Sequence, residues 1–324
     1  MKNLVPNERP LTDMILVDNE PLNIKKLPLD GAYQLVDLTF ILNMTNGAAV
    51  PVFKEDDILN YFTAVGIRKN GKTFKFSQPL RFAYKKQTSD IGTPAFYQAP
   101  LTTINSTYDA IVKYTIYFRE FINQVNDVSA LLQTKNLTNL ELVISTGDVN
   151  DIASANAPTI NTRTVQIEIR DFTGKGTKGD INDDTQEKMN DISEIVEEID
   201  LESGKTSFKA PQDVDMVAGS NILEHAGLVL DSGLASDSLV TDIRTWNVKP
   251  RSSDLESTFL KLNRDSKTDN VLNSRIKGFF KIDWQEKLGR NGFRTSAKSS
   301  ELIQLLTNGV VAGTDKILVY TKFV

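Results

Sequence analysis

Apolar side chains recur at every second position over several stretches of this chain. Across residues 36–44, Val36, Leu38, Phe40, Leu42 and Met44 alternate with Asp37, Thr39, Ile41 and Asn43. Successive side chains of an extended chain point to opposite faces, so this spacing predicts a strand with one face in a core and one in water. Val112, Tyr114, Ile116 and Phe118 repeat the pattern against Lys113, Thr115, Tyr117 and Arg119. So do Leu140, Leu142 and Ile144, and Val165, Ile167 and Ile169 against Gln166, Glu168 and Arg170. Late in the chain Ile276, Phe280, Ile282 and Trp284 oppose Arg275, Lys277, Lys281 and Asp283, and residues 316–324 form a last β-rich run. A wet face on every strand marks antiparallel sheets. Parallel sheets between helices give continuous apolar runs instead.

Helical spacing is rarer. Ile58, Leu59, Phe62 and Val65 share a helical face behind the acidic start Glu55-Asp56-Asp57. A short helix is expected from Leu80 to Tyr84 after Pro79. Ser253 with Glu256 reads as a capping box ahead of Phe259 and Leu262, and Leu302, Ile303 and Leu306 predict a further helix. The middle of the chain differs from both flanks. Residues 173–179 are rich in glycine, residues 180–202 are acidic, and Met189, Ile192, Ile195, Val196 and Ile199 fit one helical face after a cap at Thr185.

The expected architecture is therefore all-β with a few short helices. A first β domain covers 1–172 with an N-terminal arm, a linker with an acidic helix covers 173–205, and a second β domain covers 206–324. The two halves echo one another. Ile67-Arg68-Lys69-Asn70-Gly71-Lys72 precedes Pro79 and a helix in the first, and the run from Ile243 to Lys249 precedes Pro250 and the helix from Ser253 in the second.

Composition changes this picture only by exclusion. At 324 residues, 40% of them hydrophobic, the chain exceeds the ~250–300 residues at which single cores stop growing. Its net charge is −5 and no block of Lys and Arg appears, which argues against direct coating of nucleic acid. With no cysteine there are no disulfides, thiolate nucleophiles or cysteine zinc sites. No apolar segment follows Met1 and none approaches the ~18–20 residues that span a bilayer. A soluble protein made in a cytoplasm is expected.

Several motifs promise chemistry and are read otherwise. Gly66-Ile67-Arg68-Lys69-Asn70-Gly71-Lys72-Thr73 satisfies the G-x-x-x-x-G-K-[ST] spacing of a phosphate loop. Such a loop must follow a buried strand and open a helix. Here Thr73 to Ser77 alternate like a strand, and Asn70-Gly71 between two β runs is a hairpin signal. Gly204-Lys205-Thr206 lacks the first glycine, because Ile199 stands there. His225 is the only histidine, with Asp231 and Ser232 close in sequence, and is read as structural or surface-exposed rather than as part of a triad. Asp180-Ile181-Asn182-Asp183-Asp184 suggests calcium, but Thr185 and Asp191 replace the glycine and glutamate of an EF-hand loop. Asn43, Asn105 and Asn136 begin chance glycosylation triplets. No catalytic, cofactor or metal residue is assigned.

The order of elements resembles a known family. Tyr33 to Lys86 looks like the opening of one jelly roll in the double jelly-roll major capsid proteins of icosahedral phages with internal membranes: a long apolar strand, a polar loop, a short helix, a strand with its Asn-Gly turn, then another helix. Asn221 to Leu262, with Gly227-Leu228-Val229-Leu230, the loop Asp231-Ser232-Gly233 and Leu239 to Arg244, looks like the matching part of the second. The cysteine-poor, Asn- and Lys-rich style is similar to that of the Flavobacterium-infecting lipid-containing phage. The resemblance implies two eight-stranded antiparallel jelly-roll barrels and a homotrimer of six barrels that tiles a shell over a membrane. It also implies contacts with neighbouring trimers and with vertex or minor capsid proteins, no direct contact with nucleic acid, and no enzyme activity. Two alternatives stand beside it: a glycan-acting or glycan-binding double jelly roll, and a virion spike or other receptor-binding protein. Scarce tryptophan (Trp246 and Trp284 only) and the lack of cysteine weigh against the glycan reading.

Overall fold

The computed structural model describes residues 6–91, 96–118, 131–175, 177–178, 193–210, 221–246, 256–258, 276–284, 293–294, 302–307 and 314–323. They form two compact units, residues 1–87 with 95–191, and residues 88–94 with 192–324.

Eight principal strands build the first unit, with four strands of two or three residues beside them: β1 (Asn7–Pro10), β2 (Asn23–Lys26), β3 (Gly31–Thr45), β4 (Phe62–Lys69), β5 (Lys72–Gln78), β6 (Thr107–Tyr117), β7 (Leu140–Thr146) and β8 (Thr159–Thr173). They lie in two antiparallel sheets, ordered β1-β8-β3-β6 and β2-β7-β4-β5. The pairs β1·β8, β2·β7, β3·β6 and β4·β5 are those of one long hairpin whose tip is Asn70-Gly71. Rolling that hairpin up brings β8 against β3 and β7 against β4. This winding is a jelly roll.

The second unit repeats it with β9 (Ser193–Asp200), β10 (Ser207–Ala210), β11 (Asn221–Asp231), β12 (Val240–Trp246), β13 (Glu256–Thr258), β14 (Phe279–Asp283), β15 (Leu302–Thr307) and β16 (Lys316–Phe323). Its sheets are ordered β9-β16-β11-β14 and β10-β15-β12-β13. Each strand is the counterpart of the one eight places earlier. The echo between the halves is thus a repeat of topology.

Apart from Ile276, which is half-buried and precedes β14, the alternating sets face inward as expected. Val36, Leu38, Phe40, Leu42 and Met44 of β3, Val112, Tyr114 and Ile116 of β6, and Val165, Ile167 and Ile169 of β8 share the first core with Val65 and Ile67 of β4. Phe40 and Phe62 pack with ring centroids 4.5 Å apart. The second core gathers Ile199, Phe208, Val229, Ile243, Phe280, Ile282, Trp284, Ile303, Leu305, Ile317 and Val319. Two helices are described, α1 (Asp57–Tyr61) and α2 (Leu80–Ile91).

Three helical expectations give way to strands. Ile195, Val196 and Ile199 lie in β9, which pairs with β16 over its full length from Ser193↔Phe323 to Asp200↔Lys316. Ile195 and Ile199 satisfy a period of two as well as a helical one, and the ladder decides between them. Leu302, Ile303 and Leu306 lie in β15, an inner strand between β10 and β12. Glu256 begins β13, while Ser253, Phe259 and Leu262 lie outside the described residues, as do Thr185, Met189 and Ile192. The helix expected to reach Val65 stops at Tyr61, and Phe62 and Val65 belong to β4.

Ile167 is 2% exposed in the first core, beside Leu38 in register. Ile167→Asp buries an unpaired carboxylate, at a cost of several kcal/mol. The expected outcome is loss of soluble folded protein, read by recovery after expression and by the far-UV circular dichroism melt.

Candidate functional site

The phosphate-loop spacing is divided between a strand and a turn. Gly66 lies inside β4 opposite Val143, and Asn70 and Gly71 have φ of 52° and 77°. Two successive positive φ values make a type I′ turn, which matches the twist of the flanking strands. Asn70 is also held from the side: its Oδ1 accepts from Thr138 N at 2.7 Å and Asn139 N at 3.2 Å. Its Nδ2 donates to Asn136 O at 3.3 Å. Lys72 is exposed and starts β5. No helix N-terminus follows the second glycine, so the segment offers no phosphate cradle. Gly204, at φ 83°, turns between strands, and Lys205 pairs with Glu202 at 2.6 Å. Lys72→Ala should change the unfolding free energy by no more than a surface substitution does, about 0.5 kcal/mol, and leave ATP binding absent in both proteins. Saturable nucleotide binding lost in the variant would overturn the turn assignment.

His225 is structural. It sits in β11, is 1% exposed, and has Nδ1 3.1 Å from Thr321 Oγ1 on the neighbouring strand β16. Trp284 packs edge-on against its ring at 6.2 Å between centroids. Asp231 lies six residues along the same strand, about 20 Å away at ~3.3 Å per residue. The Ser232 amide donates to Asp315 Oδ1 at 3.0 Å. The three residues of a triad are not brought together.

Burial pushes the His225 pKa down to about 3, so the folded barrel holds a neutral ring. The unfolded chain takes up a proton below its ordinary value of 6.5. The stability tied to this neutral ring is fully present above pH 6.5 and is lost as pH falls from 6.5 toward 3, by up to ~1.4 kcal/mol per pH unit. His225→Leu should be less stable at pH 7, because Thr321 loses its partner, yet show a flatter fall between pH 7 and 5. Urea midpoints at the two pH values measure the difference. Parallel slopes would contradict the assignment.

The remaining candidate residues are also structural. Asn43 Nδ2 donates to Asp109 Oδ1 at 2.7 Å, and Asn161 Nδ2 donates to Asn43 Oδ1 at 2.8 Å, a polar ladder across three strands. Asn105 turns a loop at φ 49°. Asp180, Asp183, Asp184 and Asp191 lie outside the described residues. Among the described residues no group of three acidic, His or Cys side chains could hold a metal, and no helix is long and apolar enough to cross a membrane.

What the molecule does present is edges and faces. The outer edge of β6 is sealed: Tyr97–Gln98 pairs with it, Phe96 O accepts from Lys113 N at 2.9 Å, and Gln87 Oε1 accepts from Thr115 N at 3.0 Å. Strand β1 is clamped by Arg9, which pairs with Asp30 at 2.8 Å and with the buried Asp171. Burial raises the Asp171 carboxyl pKa, and Arg9 opposes the shift. A Cβ at Gly31 would stand 2.8 Å from Asp171 Oδ2, so the clamp needs glycine there.

One side of the first barrel is less covered. The strap between β1 and β2 crosses from one sheet to the other, with Met14–Ile15 pairing on β8. Met14 and Leu16 are buried, but Ile15 is 70% and Val17 60% exposed. Leu22 and Ile24 follow at 39% and 43%. Alternation of polar and apolar residues does not mark this strap. Its signal is the unbroken apolar run Met14-Ile15-Leu16-Val17, which is more than one buried face requires.

No known protein family and no curated protein matches the sequence. Solved structures do match. The major capsid protein of Sulfolobus turreted icosahedral virus superposes with a TM-score of 0.72 at 14% identity, over 99% of this chain and 97% of that one. The major capsid protein P2 of bacteriophage PM2 gives 0.57 at 11% identity, over 98% and 97%. VP54 of PBCV-1 gives 0.56 at 9%, over 100% and 94%. Likeness at this identity, spanning both units, is a likeness of fold. The fold of this chain is the double jelly roll.

Proposed function

We infer that this chain is the major capsid subunit of an icosahedral virus. The observation that carries the reading is the doubled winding, two barrels of identical strand order in one chain, matched from end to end by major capsid proteins. Function on such a subunit lives in surfaces rather than in a reactive cluster. Two similar lobes per chain and three chains around a threefold axis present six lobes, a nearly hexagonal tile. The tile packs against neighbouring trimers, meets vertex or minor capsid proteins, and overlies an internal membrane. The first jelly roll covers 1–172 and the second 206–324, with β9 joining the second from the segment between them. The subunit is made in the host cytoplasm, carries no enzyme activity and does not coat the genome directly.

Permanent interfaces of this kind exceed ~2,000 Å² in total and have apolar centres. Without disulfides, part of the stability comes from association, so folding and trimer formation are linked. The isolated protein should therefore sediment near three times 36.1 kDa, with little monomer at micromolar concentration. It should also be the dominant band of purified particles. A stable monomer that never enters particles would sink this reading and favour a glycan-acting double jelly roll.

A further inference from the structure

Charge is unevenly divided among the four sheets. In β1-β8-β3-β6, four Lys and Arg residues face five acids, and in β10-β15-β12-β13 two face two. The other two sheets are lopsided. Sheet β2-β7-β4-β5 carries six, Lys25, Lys26, Arg68, Lys69, Lys72 and Lys75, against the single acid Glu141. Sheet β9-β16-β11-β14, with the short strand Phe293–Arg294 that pairs on β11, carries seven acids against three lysines and one arginine. Strand β9 itself holds Glu194, Glu197, Glu198 and Asp200; Lys316 of β16 pairs with Glu198 and lies 3.6 Å from Asp200, so one lysine serves two of these four acids.

Each lopsided sheet ends in an edge strand, β2 on the basic one and β9 on the acidic one. Both edges also carry apolar side chains in reach of solvent. Ile24 of β2 is 43% exposed, and the strap beside it adds Ile15, Val17 and Leu22. On β9, Ile195 and Val196 are only half-buried. Register places Lys26, Glu141 and Arg68 in one row, next to the row of Ile24, Val143 and Gly66. An apolar strip bordered by cations thus exists on the first barrel, and on β9 the half-buried Val196 stands between Glu194 and Glu198 on one face of the strand.

We propose that the strap and β2 edge of one copy receive the β9 edge of a second copy, with Ile15, Val17, Leu22 and Ile24 at the apolar centre and Lys26 and Arg68 opposite Glu194 and Glu198. The contact joins different surfaces of two identical chains. Repeated around an axis it closes a ring rather than stopping at a pair. The proposal rests on the shell-subunit reading and assigns surfaces to its trimer. Opposite charge at the margin fixes partner and register, and apolar burial holds the centre.

A charge swap tests it on the full-length protein by sedimentation velocity across a concentration series, at low and at moderate salt. Lys26→Glu with Arg68→Glu should weaken the trimer about tenfold or more, and Glu194→Lys with Glu198→Lys should do the same. All four changes in one chain should bring association back to within about threefold of the wild type, because the two sides are exchanged together. Ile15→Ser, at a position that contributes nothing to the monomer core, should weaken the trimer without moving the circular dichroism spectrum. A trimeric wild type with charge pairs that assemble unchanged, or a fourfold variant no better than either pair, overturns this surface assignment and leaves the trimer standing. A wild type that is monomeric throughout overturns the trimer itself.

Discussion

The first barrel depends on the ladder between β3 and β8. Fifteen residues on each strand run antiparallel from Thr159↔Thr45 to Thr173↔Gly31, with two register shifts on the way. This pairing is not part of the flat hairpin that the chain order alone describes. It forms only when the hairpin rolls, and once formed it puts the inward faces of both strands over the same core. Rolling brings Ile167 beside Leu38 and Val165 beside Phe40, and it lets Phe40 meet Phe62 from the opposite sheet. The clamp of Arg9 on Asp30 and Asp171 acts at the same end, fastening β1 to the outside of β8. Closing the roll is a long-range event, since β3 and β8 are more than 100 residues apart, and its loop entropy must be recovered by burial along the whole ladder.

The corresponding ladder of the second barrel, β11 on β16, has a different character. In β11 every described side chain from Ile222 to Leu230 is buried, and in β16 so is every one from Ile317 to Thr321. Leu228 and Leu318 lie in register outside the second core cluster, and yet both are buried. These two strands are covered on both faces, whereas β3 alternates buried and half-buried positions from Val36 to Thr45. Antiparallel strands with a wet face alternate, and doubly covered strands do not, whatever their direction. Gly227-Leu228-Val229-Leu230 therefore breaks the period of two in a sheet that is nonetheless antiparallel. Burial, not strand direction, sets the pattern.

That distinction explains what could be read from the sequence. Strands β3, β6, β7 and β8 announce themselves because water on one face forces polar residues between apolar ones. The Asn70-Gly71 turn is legible because few residues other than glycine and asparagine accept two positive φ values in succession. The strands misread as helices are those where alternation is weak or hidden. Leu302-Ile303-Gln304-Leu305-Leu306 is apolar at four of five positions, and its polar member, Gln304, is buried with Arg244 Nε donating to it at 2.7 Å. In β9, Val196 sits between Ile195 and Ile199 and completes a helical triplet by accident. Only the pairing of β9 with β16, about 120 residues away, settles its state, and a local pattern cannot carry that information. The repeat between halves was visible as order of elements, but the one-to-one match of sixteen strands is a property of pairing.

Polar groups with unusual surroundings here are fastened to neighbours: His225 to Thr321 and Trp284, Asp171 to Arg9, Tyr61 to Asp18 with a 2.6 Å bond and to Arg163 Nε with another. Each ties one strand, strap or helix to the next, and each stands where a change of charge would loosen the roll. The side chains that remain unexplained by folding are of the opposite kind. Ile15 and Val17 alternate with buried Met14 and Leu16, so the strap has already met its core requirement with every second residue. A solvent-facing position in a strap of this sort costs nothing when polar, as Asp18 and Asn19 show immediately afterwards. Isoleucine and valine at 15 and 17, with the basic row of Lys26 and Arg68 on the adjoining sheet, are choices that the folded monomer does not require and that an assembled surface would.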